Sequence, residues 1–205
     1  MRSKTKLLSG LIIAFLSTAG ITHADDGQFI GRVAVVWIIG DGSHRDMQLL
    51  EDFQYIDPDG KSWFVPKGTI VDGASIPRAL WSIVGPPFVG RYRQASVVHD
   101  YYCDKKNESW EDVHRMFYNA CLSARVNILK AKSMYAAVWS RGPRWEIINF
   151  KGLMEEMAPV EIMIQTSIED EQLKSIQHWI ESENPPLEDI EKRVDAFVQV
   201  EQILQ

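Results

Sequence analysis

The chain has 205 residues, of which 45% are hydrophobic and 24% charged, and it carries a formal net charge of −6. That length suits one well-buried main domain with an extension. The acidic balance speaks against general nucleic-acid binding, which needs a basic face to neutralise phosphates.

The first 24 residues, MRSKTKLLSGLIIAFLSTAGITHA, join a basic start (Arg2, Lys4, Lys6) to an apolar run from Leu7 to Ile21 and finish on the small residues Thr22 and Ala24. This is the pattern of a secretory signal peptide cleaved after Ala24. The mature chain is then expected in the periplasm or outside the cell. It should have no integral membrane anchor, because no later stretch is long and apolar enough to span a bilayer. Removing the three basic side chains takes the formal charge from −6 to −9.

From Phe29 to about Val71 the pattern is β-like, with the runs FIGRVAVVWII, MQLLEDFQYI, SWFVP and GTIV. Asp57-Pro58-Asp59-Gly60 separates two of these runs and predicts a hairpin, since Pro presets φ and Gly accepts a positive one. After Gly73 the period turns helical. IPRALWSIVG predicts a first helix starting near Pro77, and a second follows from about Arg91 to Cys103. A third begins at Ser109, which can cap Asp112, with an apolar stripe of Trp110, Val113, Phe117, Ala120 and Ala124. A fourth runs from about Ile128 to Ser140 and stops at Gly142-Pro143.

Beyond Trp145 the composition is acidic. Residues 146–205 hold 4 Lys/Arg against 14 Asp/Glu, whereas residues 76–145 hold 11 against 5, which suggests a basic face covered by an acidic tail. SIED predicts a helix through Trp179, NPP breaks it, and Leu187, Ile190, Val194, Phe197 and Leu204 share one face of a last helix. The expected organisation is a signal peptide (1–24), a main domain (25–145) and an acidic helical extension (146–205). The expected fold class is α+β: a small antiparallel β-sheet first, then a helical half with an antiparallel helix pair. A chain ending near Phe150 is expected to stay folded.

The chemistry concentrates in VVHDYYC, residues 97–103, where His99 and Asp100 stand in a run that otherwise reads as buried helix. On the second helix His99 points with the packing stripe, and Asp100 lies roughly 100° around the axis. The short polar link DKKNE favours an antiparallel partner helix. Folding the sequence back between Lys106 and Asn107 brings position 99 level with position 114, which is also His, so the two imidazoles should meet. The same mirror sets Cys103 and Cys121 roughly 16 Å apart along the axis. A disulfide needs Cα atoms within about 7 Å, so two unpaired thiols are expected.

The run VDGASIPRALWSIVGPPFVGRYRQASVVHDYY, with WEDVHRMFYNA and AKSMYAAV, resembles a family shared by bacteria and tailed phages, domain of unknown function 1353, over roughly residues 30–142. That resemblance implies a domain and no activity. The His-Asp pair on antiparallel helices also resembles the secreted type-two phospholipases A. There the His deprotonates a water, the Asp holds calcium and a carboxylate on the second helix orients the His. The resemblance gives these roles to His99, Asp100 and position 114. Here position 114 is His, Cys103 stands where a supporting Tyr would be, and GPPFVG (85–90) is the one candidate for a calcium loop. Asp72 is the candidate for the missing charge.

Three readings stay open. The first is a metal-assisted hydrolase of a lipid, ester or other small molecule, with His99 as general base and His114 and Asp72 orienting it. In it Asp100, His99 and His114 hold calcium or zinc. The second is a structural polar cluster, with Asp100 paired to Arg93 or Arg91. The third is a binding or assembly module in which Trp63, Trp81 and Trp110 line a groove with Arg78, Arg91 and Arg93. There is no G-x-S-x-G elbow, Walker loop or paired C-x-x-C, which speaks against a serine or cysteine nucleophile.

Overall fold

The computed structural model describes residues 27–38, 46–72, 90–148 and 160–204. The expected signal peptide, the first helix near Pro77, and Arg78 and Trp81 lie outside these residues. Among the described residues no helix is long and apolar enough to cross a membrane.

The fold is α+β. Six short strands come first: β1 (Gln28–Ile30), β2 (Val35–Trp37), β3 (Met47–Leu49), β4 (Phe53–Ile56), β5 (Ser62–Val65) and β6 (Ile70–Val71). They form two antiparallel sheets, ordered β1-β4-β5 and β2-β3-β6. The β4–β5 hairpin pairs Phe53 with Val65 and Tyr55 with Trp63, and all four side chains are buried on one face. Its turn is the expected one. Gly60 takes φ +83, the Asp57 carboxylate accepts the Lys61 N–H at 2.8 Å, and its second oxygen accepts the Trp63 indole N–H at 3.0 Å.

Three helices follow: α1 (Arg93–Lys105), α2 (Trp110–Ser123) and α3 (Ile128–Arg141). The α1–α2 link is short because both ends are closed locally. Lys106 turns the chain at φ +51, with its N–H on the Tyr102 carbonyl, and Ser109 Oγ accepts the Asp112 N–H at 3.1 Å. Helix α1 docks on the hairpin through Tyr102, which stacks edge-on against Trp63 at 4.9 Å and accepts the Phe64 N–H at 3.0 Å.

The C-terminal segment departs from the expected all-helical extension. Strand β7 (Arg144–Ile148) pairs with β8 (Val160–Ser167), and β8 with β9 (Gln199–Leu204), in a third antiparallel sheet. Helices α4 (Asp170–Glu183) and α5 (Leu187–Asp195) lie between β8 and β9. The helix expected to run to Leu204 stops at Asp195. From Val198 onward the residues alternate, VQVEQIL, and the backbone amides pair with β8 instead.

Nor is the extension a loose cover. Ile176, Ile180, Ile190 and Val194 are fully buried and belong to the same core as Tyr135 and Trp139. Helix α3 is buried on every side from Ala131 to Ser140. Even Lys132 is enclosed, its ammonium shared by the Asn184 side chain at 2.6 Å, the Pro185 carbonyl at 2.6 Å and the Asn184 carbonyl at 3.2 Å.

Candidate metal centre

The two imidazoles meet as the mirror argument requires. His99 Nε2 lies 2.9 Å from His114 Nδ1 across the α1–α2 interface, and both rings are wholly buried. Cys103, one turn along α1 from His99, brings its Sγ to 3.6 Å from His99 Nε2 and 3.8 Å from Nδ1. One donor atom from each of His99, Cys103 and His114 falls within 4.8 Å of the others. Both cysteines are free thiols, as expected.

Aromatic rings wall the cluster. His99 leans on Phe117 at 4.8 Å, and His114 is edge-on to Trp110 at 5.5 Å. The setting fixes the protonation states. Burial drives the His99 pKa down to about 3. It also drives His114 well below its ordinary value, helped by the charges of His99 and Arg144. Burial first, then the nearby Asp100 and Asp104 carboxylates, pushes the Cys103 thiol well up. Both imidazoles are thus neutral at pH 7, the form in which they bind metal.

One nitrogen is left over. His114 Nε2 has no hydrogen-bond partner among the described residues. It faces Gly142, where an added Cβ would stand 2.9 Å from Nε2 and closer still to the Val138 carbonyl. Gly142 is therefore required for close approach, not for its backbone angles.

The other expected site residues fall elsewhere. Asp100 is buried one face around α1, and its carboxylate accepts the Asp72 N–H at 2.9 Å. Asp72 thus reaches α1 through its backbone, tying the end of β6 to the helix. Its charge bears on Asp104, whose carboxyl is raised by burial first and by Asp72 second. In the converging donor set Cys103 stands where Asp100 was expected. Sequence reasoning noticed Cys103 and left it out of the ligands, although its i+4 spacing from His99 carried the signal. Arg91 and Arg93 are exposed at the start of α1, away from the imidazoles, and Trp63 belongs to the core.

Residues 47–138 match the family model described as Protein of unknown function (DUF1353). Over these residues the chain is similar to the DUF1353 family. The DUF1353 span contains His99, Cys103, His114, Asp72 and Asp100, and it stops short of Gly142 and of the whole C-terminal sheet. Two relatives from Sinorhizobium fredii (strain NBRC 101917 / NGR234) are similar to the chain. Uncharacterized protein y4jT is 41% identical over 148 residues, covering 71% of this chain and 43% of the relative. Uncharacterized protein y4iH is 39% identical over 140 residues, covering 66% and 58%. The chain thus spans about half the length of the curated relatives it matches. No solved structure gives a significant match.

Proposed function

We propose that this DUF1353 domain binds a transition-metal ion, zinc fitting best, on His99 Nε2, Cys103 Sγ and His114 Nδ1. Such an ion would supply a bound water able to attack an ester or lipid substrate. The reading is carried by the spacing of the donors. Metal–nitrogen bonds of about 2.05 Å and a metal–sulfur bond of about 2.3 Å, at tetrahedral angles, set two nitrogens about 3.3 Å apart and nitrogen from sulfur about 3.6 Å apart. The observed separations are 2.9 Å and 3.6 Å. The third edge, from Cys103 Sγ to the His114 donor, lies within 4.8 Å, and opening the helix pair with a rotation of Cys103 would complete the triangle. Two imidazoles and a thiol are soft donors, so the set selects zinc over calcium. Export through residues 1–24 belongs to the same proposal, and N-terminal sequencing of the exported protein checks it.

The test is metal content and affinity. Purified protein should take up one zinc per chain, and its cobalt(II) form should show a thiolate-to-metal charge-transfer band that Cys103→Ser removes. The metal-loaded protein should then hydrolyse a chromogenic ester, and His114→Ala should not. No stoichiometric metal in the wild type sinks the proposal. Metal uptake without hydrolysis keeps the centre and removes the enzyme.

A second reading has its own support. The two rings already share a 2.9 Å hydrogen bond, and all three donors are enclosed. On that reading the pair is a structural lock of the helix hairpin. His114→Gln would then cost stability whether or not metal is present, with zinc giving the wild type no added protection.

A further inference from the structure

A separate feature lies at the other end of α1. An open cleft of about 480 Å³ is lined by Val33, by Gly90, Arg91, Arg93 and Gln94 at the start of α1, and by Ala124 and Arg125 of the α2–α3 loop. Among the described residues that line it, three carry a guanidinium and none carries a carboxylate, in a chain whose formal net charge is −6. The described lining is therefore basic in an otherwise acidic chain.

The Arg91 guanidinium is held by the backbone. Arg91 donates to the Arg125 carbonyl at 3.1 Å, which ties the start of α1 to the α2–α3 loop across the cleft. Arg125 itself sits at φ +61, in the left-handed region where Gly or Asn costs less than a long side chain. The opening of α1 adds to the positive field. Its N-cap, Tyr92, makes no side-chain capping bond, and the first turn holds no acidic residue.

We infer that this cleft is a binding site for a phosphate-bearing organic molecule, its oxyanion held by Arg91, Arg93 and Arg125. Guanidinium forks match tetrahedral phosphate oxygens. The cleft falls in the range of small-molecule sites, so the ligand carries more than bare phosphate. No aromatic ring lines it among the described residues, so nothing there would stack a nucleobase. A polyol or sugar phosphate fits the polar lining, and a glycerophosphate lipid headgroup shares the same chemistry. Arg93 and His99 are six residues apart, roughly 9 Å along α1, and the inference does not depend on the metal centre.

The test uses calorimetry with inorganic phosphate and glycerol phosphate, and co-sedimentation with phosphatidylglycerol or phosphatidylcholine vesicles. Glycerol phosphate should bind saturably and more tightly than inorganic phosphate. Arg93→Gln and Arg125→Gly should each weaken it about tenfold or more. Arg125→Gly relieves the backbone at φ +61, so its fold survives and loss of binding reads the side chain alone. Binding to phosphatidylglycerol vesicles that both variants lose would identify a lipid headgroup as the source. Binding of glycerol phosphate alone would identify a soluble one. No saturable binding to any of these probes, or binding unchanged in both variants, overturns the inference.

Discussion

His114 and Arg115 are neighbours on α2, yet they enter two polar clusters of opposite kind. His114 joins His99 and Cys103 in a buried pocket, where burial lowers both imidazole pKa values. Arg115 makes a two-pronged contact with Glu191, at 3.0 and 2.7 Å, and Tyr135 donates to the same carboxylate at 2.5 Å. The hydrogen bonds to Glu191 hold the guanidinium charge firmly, and burial with the Glu191 contact raises the Tyr135 hydroxyl far above its ordinary range. Asp195 completes this side, accepting from the Trp139 indole at 3.0 Å and from Arg144 at 3.2 Å. A charge can be enclosed where a matching carboxylate arrives with it. The imidazole cluster, its pKa values lowered by burial, takes instead the neutral form that suits a metal ligand.

The carboxylates of the second cluster come from α5, outside the family span, so removing the C-terminal segment should separate the two clusters most sharply. A chain ending near residue 150 loses the fully buried Ile176, Ile180, Ile190 and Val194 together with Glu191 and Asp195. Far-ultraviolet circular dichroism and thermal melts should find it without a cooperative transition, because four such side chains alone represent about 6–12 kcal/mol of burial. A sharp melt near that of the full chain would show that the DUF1353 half holds its own core.

The neutral cluster should appear in the pH dependence of the metal-free protein. Both histidines have folded-state pKa values below the unfolded value near 6.5, that of His99 at about 3. The unfolded chain therefore binds protons more readily between these limits. Stability from the pair is fully present above about pH 6.5 and is lost as pH falls, for His99 toward about 3 at up to about 1.4 kcal/mol per pH unit, with His114 adding loss in the same direction. Urea titrations at pH 7, 6 and 5 measure this slope, and His99→Gln should flatten it. A flat wild-type profile would mean the rings already share charge.

Glu191→Ala tests the charged cluster. It should cost about 2–3 kcal/mol by denaturant unfolding, less than a wholly enclosed pair because Arg115 is half exposed. Zinc affinity should not change, since Glu191 touches neither imidazole. Gly142→Ala should cost about 1–3 kcal/mol or more, as a methyl there meets both the Val138 carbonyl and the His114 ring. This variant should also shift zinc affinity, which separates the two clusters by their response to metal.

The helix hairpin was legible because its geometry is local. A fixed rise per residue, a short polar link and the Ser109 cap set the register, and His99 opposite His114 followed without long-range information. The DPDG turn was legible for the same reason. The third sheet was not. The run from Val160 to Ser167 mixes Met and Glu into its alternation, and its partners lie at Arg144–Ile148 and Gln199–Leu204, so only tertiary pairing distinguishes strand from helix there. The bond between Asp72 and Asp100 joins a main-chain amide to a side chain, and side-chain identities alone do not announce it. Cys103 was in view throughout. Its place beside the imidazoles depends on its side-chain rotamer, which spacing narrows without fixing.

The contact of Glu191 with Arg115 and Tyr135 has a bearing on ancestry. Two of its three members lie inside the family span and the third lies beyond it, so the trio constrains how the module can be recombined. Relatives that carry an arginine and a tyrosine at these helix positions should bring an acidic residue from whatever segment is fused downstream. Those joined to a different neighbour should have exchanged all three at once, leaving a correlated signature across the junction.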